Sequence, residues 1–123
     1  MNKDFVPHEE SLELKELGFN EPCFAVYSEH DKTRVYEESS IVEGLKIQAP
    51  LYQQTFRWFR EKHDLLSDVG ISANRKNDTK KWMYSIIYLD KNTYIYSEET
   101  YNTYEEAELA CLKKLIEIVK NNE

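Results

Sequence analysis

The chain is expected to fold as an α+β protein. Its core, residues 46–123, should run helix, strand, strand, strand, helix around a three-stranded antiparallel sheet. A helix and a β-hairpin in residues 1–45 should precede it. Three observations carry this expectation. Tyr101 to Lys120 (YNTYEEAELACLKKLIEIVK) combines helical apolar spacing with a written start signal. Lys81 to Leu89 (KWMYSIIYL) is a dense run of strand formers closed by turn residues. LYQQTFRWFREKHDLL, from Leu51, sets aromatic side chains at helical spacing. With 123 residues, 41% of them hydrophobic and 13% aromatic, the chain has the size of one globular domain and too much apolar bulk to be disordered throughout.

The elements follow in order. Pro7 opens a short helix, HEESLELKELGF, with Leu14 and Leu17 on one face and Glu and Lys opposite. Gly18 is its stop signal, and Phe19 is placed to pack back on the last turn. After Pro22 a strand is expected in which Phe24 and Val26 alternate with Cys23, Ala25 and Tyr27. Glu29 to Thr33 forms a turn, Arg34 to Glu37 returns as the second strand, and Glu38 to Gly44 is a linker. Ala49-Pro50 starts the next helix, with Pro at its first position. Tyr52, Phe56, Phe59 and His63 lie on one stripe, and Thr55, Trp58, Lys62 and Leu66 beside it. Leu65 and Leu66 finish this helix and Ser67-Asp68 break it.

Three strands should follow: Val69 to Ala73, Lys81 to Leu89 and Thr93 to Ser97. NRKNDTK (74–80) is a polar loop and Asp90-Lys91-Asn92 a tight turn. The middle strand is apolar on both faces, Trp82, Tyr84, Ile86 and Tyr88 on one and Met83, Ser85, Ile87 and Leu89 on the other. Something is therefore expected to cover both. In the closing helix Thr103 caps free amides and Glu106 reaches back. Ala107, Cys111, Leu115 and Ile118 form its apolar stripe, widened by Leu112, Ile116 and Val119.

Charge is unevenly distributed. The net charge is -7. Residues 1–45 hold eleven acidic and four basic side chains, whereas residues 46–123 hold twelve of each. A chain that grips phosphates usually shows a large basic surplus. The basic cluster here is small: Arg75, Lys76, Lys80 and Lys81. No apolar run approaches bilayer-spanning length and MNKDFVPHEE lacks a secretion signal, so a cytoplasmic protein without a membrane partner is expected. Cys23 and Cys111, without CxxC pairing, are expected to be buried thiols.

Two resemblances add to this. The segments APLYQQTFRWFREKH and TYEEAELACLKKLIEIVK, with GFNEPCF, resemble short uncharacterised proteins of phages and mobile elements of Bacteroides-group bacteria. That implies a phage setting inside a bacterial host cell and no specific activity. The element order from Ala49 to Lys120, with ELACLKKLI, resembles a double-stranded-RNA-binding domain. That likeness implies two helices on one face of the sheet. It also implies RNA contacts at the start of the last helix, where Tyr104-Glu105-Glu106-Ala107-Glu108 places carboxylates in place of lysines.

No arrangement of His8, His30, His63, Cys23 and Cys111 has metal-ligand spacing, so neither metal nor cofactor is expected. His63 is better explained as a charge at a helix C-terminus. No phosphate-cradling loop, nucleophile elbow or base–nucleophile pair occurs, so the chain is not expected to be an enzyme. Arg57 and Arg60 flank Trp58, which is either an exposed recognition strip or, preferably, a buried Trp between surface arginines. Trp82, Tyr84 and Tyr88, with Tyr94 and Tyr96, are either base-stacking aromatics or, preferably, a face covered by residues 1–45 or a second copy. The favoured expectation is a small protein-interaction module that modulates a host or defence component or self-associates. Glu9, Glu10, Glu13 and Glu16 would be its acidic surface. The alternative is a nucleic-acid binder using residues 75–81 and the Arg57/Arg60 strip.

Overall fold

The computed structural model describes residues 4–27, 34–36, 47–72 and 80–122. Its elements are α1 (His8–Glu16), β1 (Ala25–Tyr27), β2 (Arg34–Tyr36), β3 (Ile47–Ala49), α2 (Tyr52–His63), β4 (Leu65–Ile71), β5 (Trp82–Tyr88), β6 (Thr93–Tyr96) and α3 (Tyr104–Asn121). The α+β class and the α-β-β-β-α order of the second half are as the sequence predicts. The chain divides into two compact units, Met1–Thr55 and Phe56–Glu123, with the division inside α2. The expected turn 29–33, the linker 38–44, Glu37, Ala73 and the loop 74–79 lie outside the described residues, as do His30, Arg75 and Lys76.

In the first unit, α1 ends as its sequence demands. Gly18 takes φ 101°, a backbone conformation that a side chain disfavours. Its N–H donates to the Lys15 carbonyl (3.1 Å), and the Phe19 N–H donates to the Leu14 carbonyl (3.0 Å). This is the paired closure of a Schellman motif, and Leu14 and Phe19 are both buried beside it.

The strands of this unit differ from the expectation. The hairpin β1–β2 gains a third, antiparallel strand, and the sheet order is β2-β1-β3. Ala25 pairs with Ala49, and Tyr27 with Ile47. Ala49 therefore ends a strand rather than starting a helix. Pro50 precedes α2, its carbonyl accepting the Val6 N–H at 2.8 Å. A first unit closed by β3 also extends well past the expected boundary at residue 45. In β1 the expected alternation is absent: Ala25, Val26 and Tyr27 are all buried, while Phe24 is 65% exposed and precedes the strand. Phe5, Ala25, Tyr27 and Ala49 form a core that Ile47 and Leu51 flank. The Tyr27 hydroxyl donates to the Val6 carbonyl, and its ring meets His8 edge-on at 5.2 Å.

In the second unit, β4, β5 and β6 form an antiparallel sheet in that order. The helix-to-strand junction is tighter than the sequence suggests. Asp64 alone separates α2 from β4, at φ 56°, a left-handed conformation that Asp tolerates better than most residues. Its carbonyl accepts the Leu89 N–H at 2.9 Å. Leu65, Leu66, Ser67 and Asp68 consequently belong to β4, not to a helix end and its break. The short polar pair does not break the strand because Ser67 and Asp68 pair with Ile86 and Ser85.

Helix α3 packs on β4 and β5. Ala107, Cys111, Leu112, Leu115, Ile116, Ile118 and Val119 are all buried on it, a stripe wide enough to explain the docking. The start is capped by the Thr103 side chain, which accepts the Glu106 N–H at 3.1 Å. The Glu106 carboxylate accepts the Thr103 hydroxyl at 3.0 Å.

Candidate functional site

The strand register sorts the second sheet into two unlike faces. Leu65, Ser67, Val69 and Ile71 pair with Tyr88, Ile86, Tyr84 and Trp82, so these side chains share one face. Tyr84, Ile86 and Leu65 are buried there. The chain's own closing segment supplies cover: Tyr104 of α3 meets Trp82 edge-on at 5.4 Å, and Tyr101 stacks with Tyr84 at 6.5 Å. The end of α2 reaches this face too. His63 lines a small hollow with Leu65, Tyr88, Ile118 and Val119.

The opposite face carries Leu66, Asp68, Gly70, Met83, Ser85, Ile87, Tyr94 and Tyr96 by the same pairing rule. It is open. Tyr94 and Tyr96 are 60% and 58% exposed, Ile87 is 36% exposed, and Leu89 at the end of β5 is 47% exposed. The two tyrosine rings touch edge-on at 5.1 Å. Trp82, Tyr84 and Tyr88 therefore do not form one aromatic surface with Tyr94 and Tyr96, because the two sets point to opposite sides of the sheet.

At the end of β6 the ladder is irregular, and this builds a recess. Ser85 pairs with Tyr96, and the Ser97 N–H donates to the Tyr84 carbonyl at 2.9 Å. A regular ladder would next set Trp82 opposite Glu99. Instead Trp82 and Tyr101 exchange two hydrogen bonds of 2.8 Å. Two extra residues are accommodated, a bulge that carries Glu98, Glu99 and Thr100 outward. All three are exposed. The hollow there measures about 340 Å³ and is lined by Tyr84, Tyr96, Tyr101, Glu98 and Glu99, with Ile95 and Lys114. Its volume falls at the low end of ligand sites, whereas the hollow beside His63, about 160 Å³, is smaller than they are. Burial, then the neighbouring Tyr101, Cys111 and acidic residues Glu117 and Glu98, push the Tyr84 phenol up to about 12. Tyr101 is raised by burial, then by Glu99, Cys111 and Glu98. Both phenols are therefore neutral rings at neutral pH. Lys114 is bound to Glu117 at 2.9 Å, which raises its own affinity for protons.

The residues singled out from sequence are placed as follows. Trp58 is 4% exposed and packs on Phe59 (5.0 Å) and His63 (4.9 Å). Arg57 and Arg60 are exposed, but Trp58 is no part of a surface strip with them. Lys80 lies over the Trp82 ring at 6.0 Å, and Lys81 donates to the side-chain amide oxygen (Oδ1) of Asn102. In α1, Glu9 and Glu16 are exposed and Glu13 half-buried, but Glu10 is only 4% exposed. Glu10 is thus removed from the acidic surface, because it falls on the same side of the helix as buried Leu14. The start of α3 is likewise mixed, with Glu106 exposed, Glu105 half-buried and Glu108 buried.

Cys23 and Cys111 are free and buried. Burial above all pushes each thiol up to about 12; Glu21 adds to this at Cys23, and Glu108 and Asp68 do so at Cys111. Neither is a thiolate nucleophile at neutral pH. Among the described residues no group of three or more His, Cys, Asp or Glu side chains is placed to hold a metal ion. No helix among them is long and apolar enough to cross a membrane.

The open face and the hollow were not singled out in the sequence. Which strand positions point outward depends on what the helix covers. The hollow depends on a bulge that the polar string SEET (97–100) does not announce. No family model, curated protein or solved structure matches the chain.

Proposed function

We propose that the protein is a small non-enzymatic interaction module that binds another protein through the open face of the β4-β5-β6 sheet. One observation carries this reading. Ile87, Leu89, Tyr94 and Tyr96 are exposed on one side of a sheet whose other side buries Leu65, Tyr84 and Ile86. Antiparallel sheets facing water usually present polar side chains there, and tyrosine is enriched where proteins meet. Acidic Asp68 on the same face, with the chain's net charge of -7, favours a partner with a basic surface. In the phage or mobile-element setting that the sequence resemblance implies, that partner is a host or defence component.

The test compares the wild type with the double variant Ile87→Asp, Tyr94→Ser. An identified partner retained by the wild type should be released by the variant, with binding at least tenfold weaker by calorimetry and an unchanged circular-dichroism melt. Equal retention by both proteins overturns the assignment of this face. Steeply salt-dependent binding of the wild type to RNA or DNA, without a protein partner, replaces the reading with nucleic-acid recognition.

A further inference from the structure

We infer that β6 pairs antiparallel with β6 of a second copy of the chain, joining two three-stranded sheets into one through a twofold contact. The inference is independent of the protein partner proposed above. In the order β4-β5-β6, no described strand lies beyond β6, and α3 rests on β4 and β5. Ser97 donates its N–H to the Tyr84 carbonyl, and bonded pairs alternate along an antiparallel ladder. Ile95 and Thr93 therefore turn their backbone groups toward β5, opposite Ile86 and Tyr88. Tyr94 and Tyr96 turn theirs to the outer edge, and both residues are exposed. An edge of this kind is usually blunted by a charge or a proline. Thr93 to Ser97 contains neither.

A second copy is the fitting occupant because the strand complements itself. About a twofold axis at Ile95, that residue meets its own counterpart. Tyr94 then lies opposite Tyr96 of the second copy, and Thr93 opposite its Ser97. Aromatic pairs and Thr–Ser pairs set directly opposite stabilise a sheet. The outward N–H and C=O groups of Tyr94 and Tyr96 bond to each other across the axis. Just outside the strand, Lys91 comes opposite Glu99 of the second copy; both residues are exposed. Symmetry makes the tyrosine and the charge contacts twice. The other edge strand, β4, lacks this property. Turned about its middle residue it sets Asp68 against Asp68, like charges that oppose pairing.

Sedimentation equilibrium of the purified whole protein tests this. A monomer–dimer equilibrium is expected, with a dissociation constant on the order of 100 μM for so small a contact. Lys91→Glu and Glu99→Lys should each weaken it about threefold or more, because two attractive contacts become repulsive. The double variant Lys91→Glu, Glu99→Lys should restore association, and so should an equimolar mixture of the two single variants. Tyr96→Pro removes an outward N–H that makes no bond to β5, and it should abolish the dimer. A monomer at every concentration, assembly beyond the dimer, or charge reversals that neither weaken nor rescue association overturns the inference. The measurement needs no protein partner, so failure of the dimer and failure of the open-face reading are separately visible.

Discussion

Cys111 shows how its place on a helix decides what a side chain can do. It lies on the buried stripe of α3 with no exposed surface, and desolvation keeps its proton on until about pH 12. Cys23 reaches the same value for the same leading reason. A disulfide-exchange reagent at pH 8 should therefore label neither thiol in the native protein and both after unfolding, as absorbance of the released chromophore would show. The pH dependence has a definite sign. Native thiols ionise near 12 and unfolded thiols near 9, so the unfolded chain holds fewer protons between these values. This part of the stability is whole below about pH 9 and is lost as pH rises toward 12. Urea midpoints measured at pH 8 and pH 10 should fall less in Cys111→Ala than in the wild type.

At the scale of elements, α1 and α3 each carry one terminus in the sequence. Gly18 and Thr103 perform the roles their residue types announce. Thr103→Ala should cost about 1 kcal/mol through loss of the cap. Gly18→Ala should cost a similar amount, about 1 kcal/mol, because φ 101° disfavours a side chain even where space is open around it. Thermal melts of the two variants would check both figures. The ends that were not legible are those fixed by pairing. Leu65 and Leu66 continue a helical apolar pattern, yet they join β4 because β5 offers them backbone partners and Asp64 turns the chain in one residue. Ile47–Ala49 is too short for a strand period to show, and it is a strand because β1 lies alongside. Pro50 just after it mimics a helix start, so the local signal favoured the wrong boundary.

At the scale of the whole molecule, each unit has its own three-stranded sheet. The second sheet's two faces differ in burial. Neighbouring residues of β5 should make this measurable. Ile86 is fully buried, so Ile86→Ala should cost about 2–5 kcal/mol. Ile87 is exposed on the other face, so Ile87→Ser should change stability by about 0.5 kcal/mol or less. Urea denaturation of the two variants gives the comparison directly. A large loss from Ile87→Ser would mean that the face is covered in the free protein.

The expectation that both faces of β5 are covered came from its composition, since Met83, Ile87 and Leu89 look as apolar as Tyr84 and Ile86. Composition along a strand cannot tell a face packed by its own helix from one held open, because both show apolar side chains at period two. By itself, the sequence determined the α+β class, the three helices, the wide apolar stripe of α3, the Gly18 stop and the Thr103 cap. These rest on interactions within a few residues. Tertiary structure alone decided that Glu10 is buried, that Tyr94 and Tyr96 point away from Tyr84, and that Glu98 and Glu99 are carried outward beside Tyr101, whereas the burial of Trp58 is as the sequence reading preferred. The sheet positions depend on which strand lies opposite and in what register, and the burial of Glu10 depends on what packs against α1. That choice is made by backbone hydrogen bonds and packing between distant segments, and no local pattern encodes it.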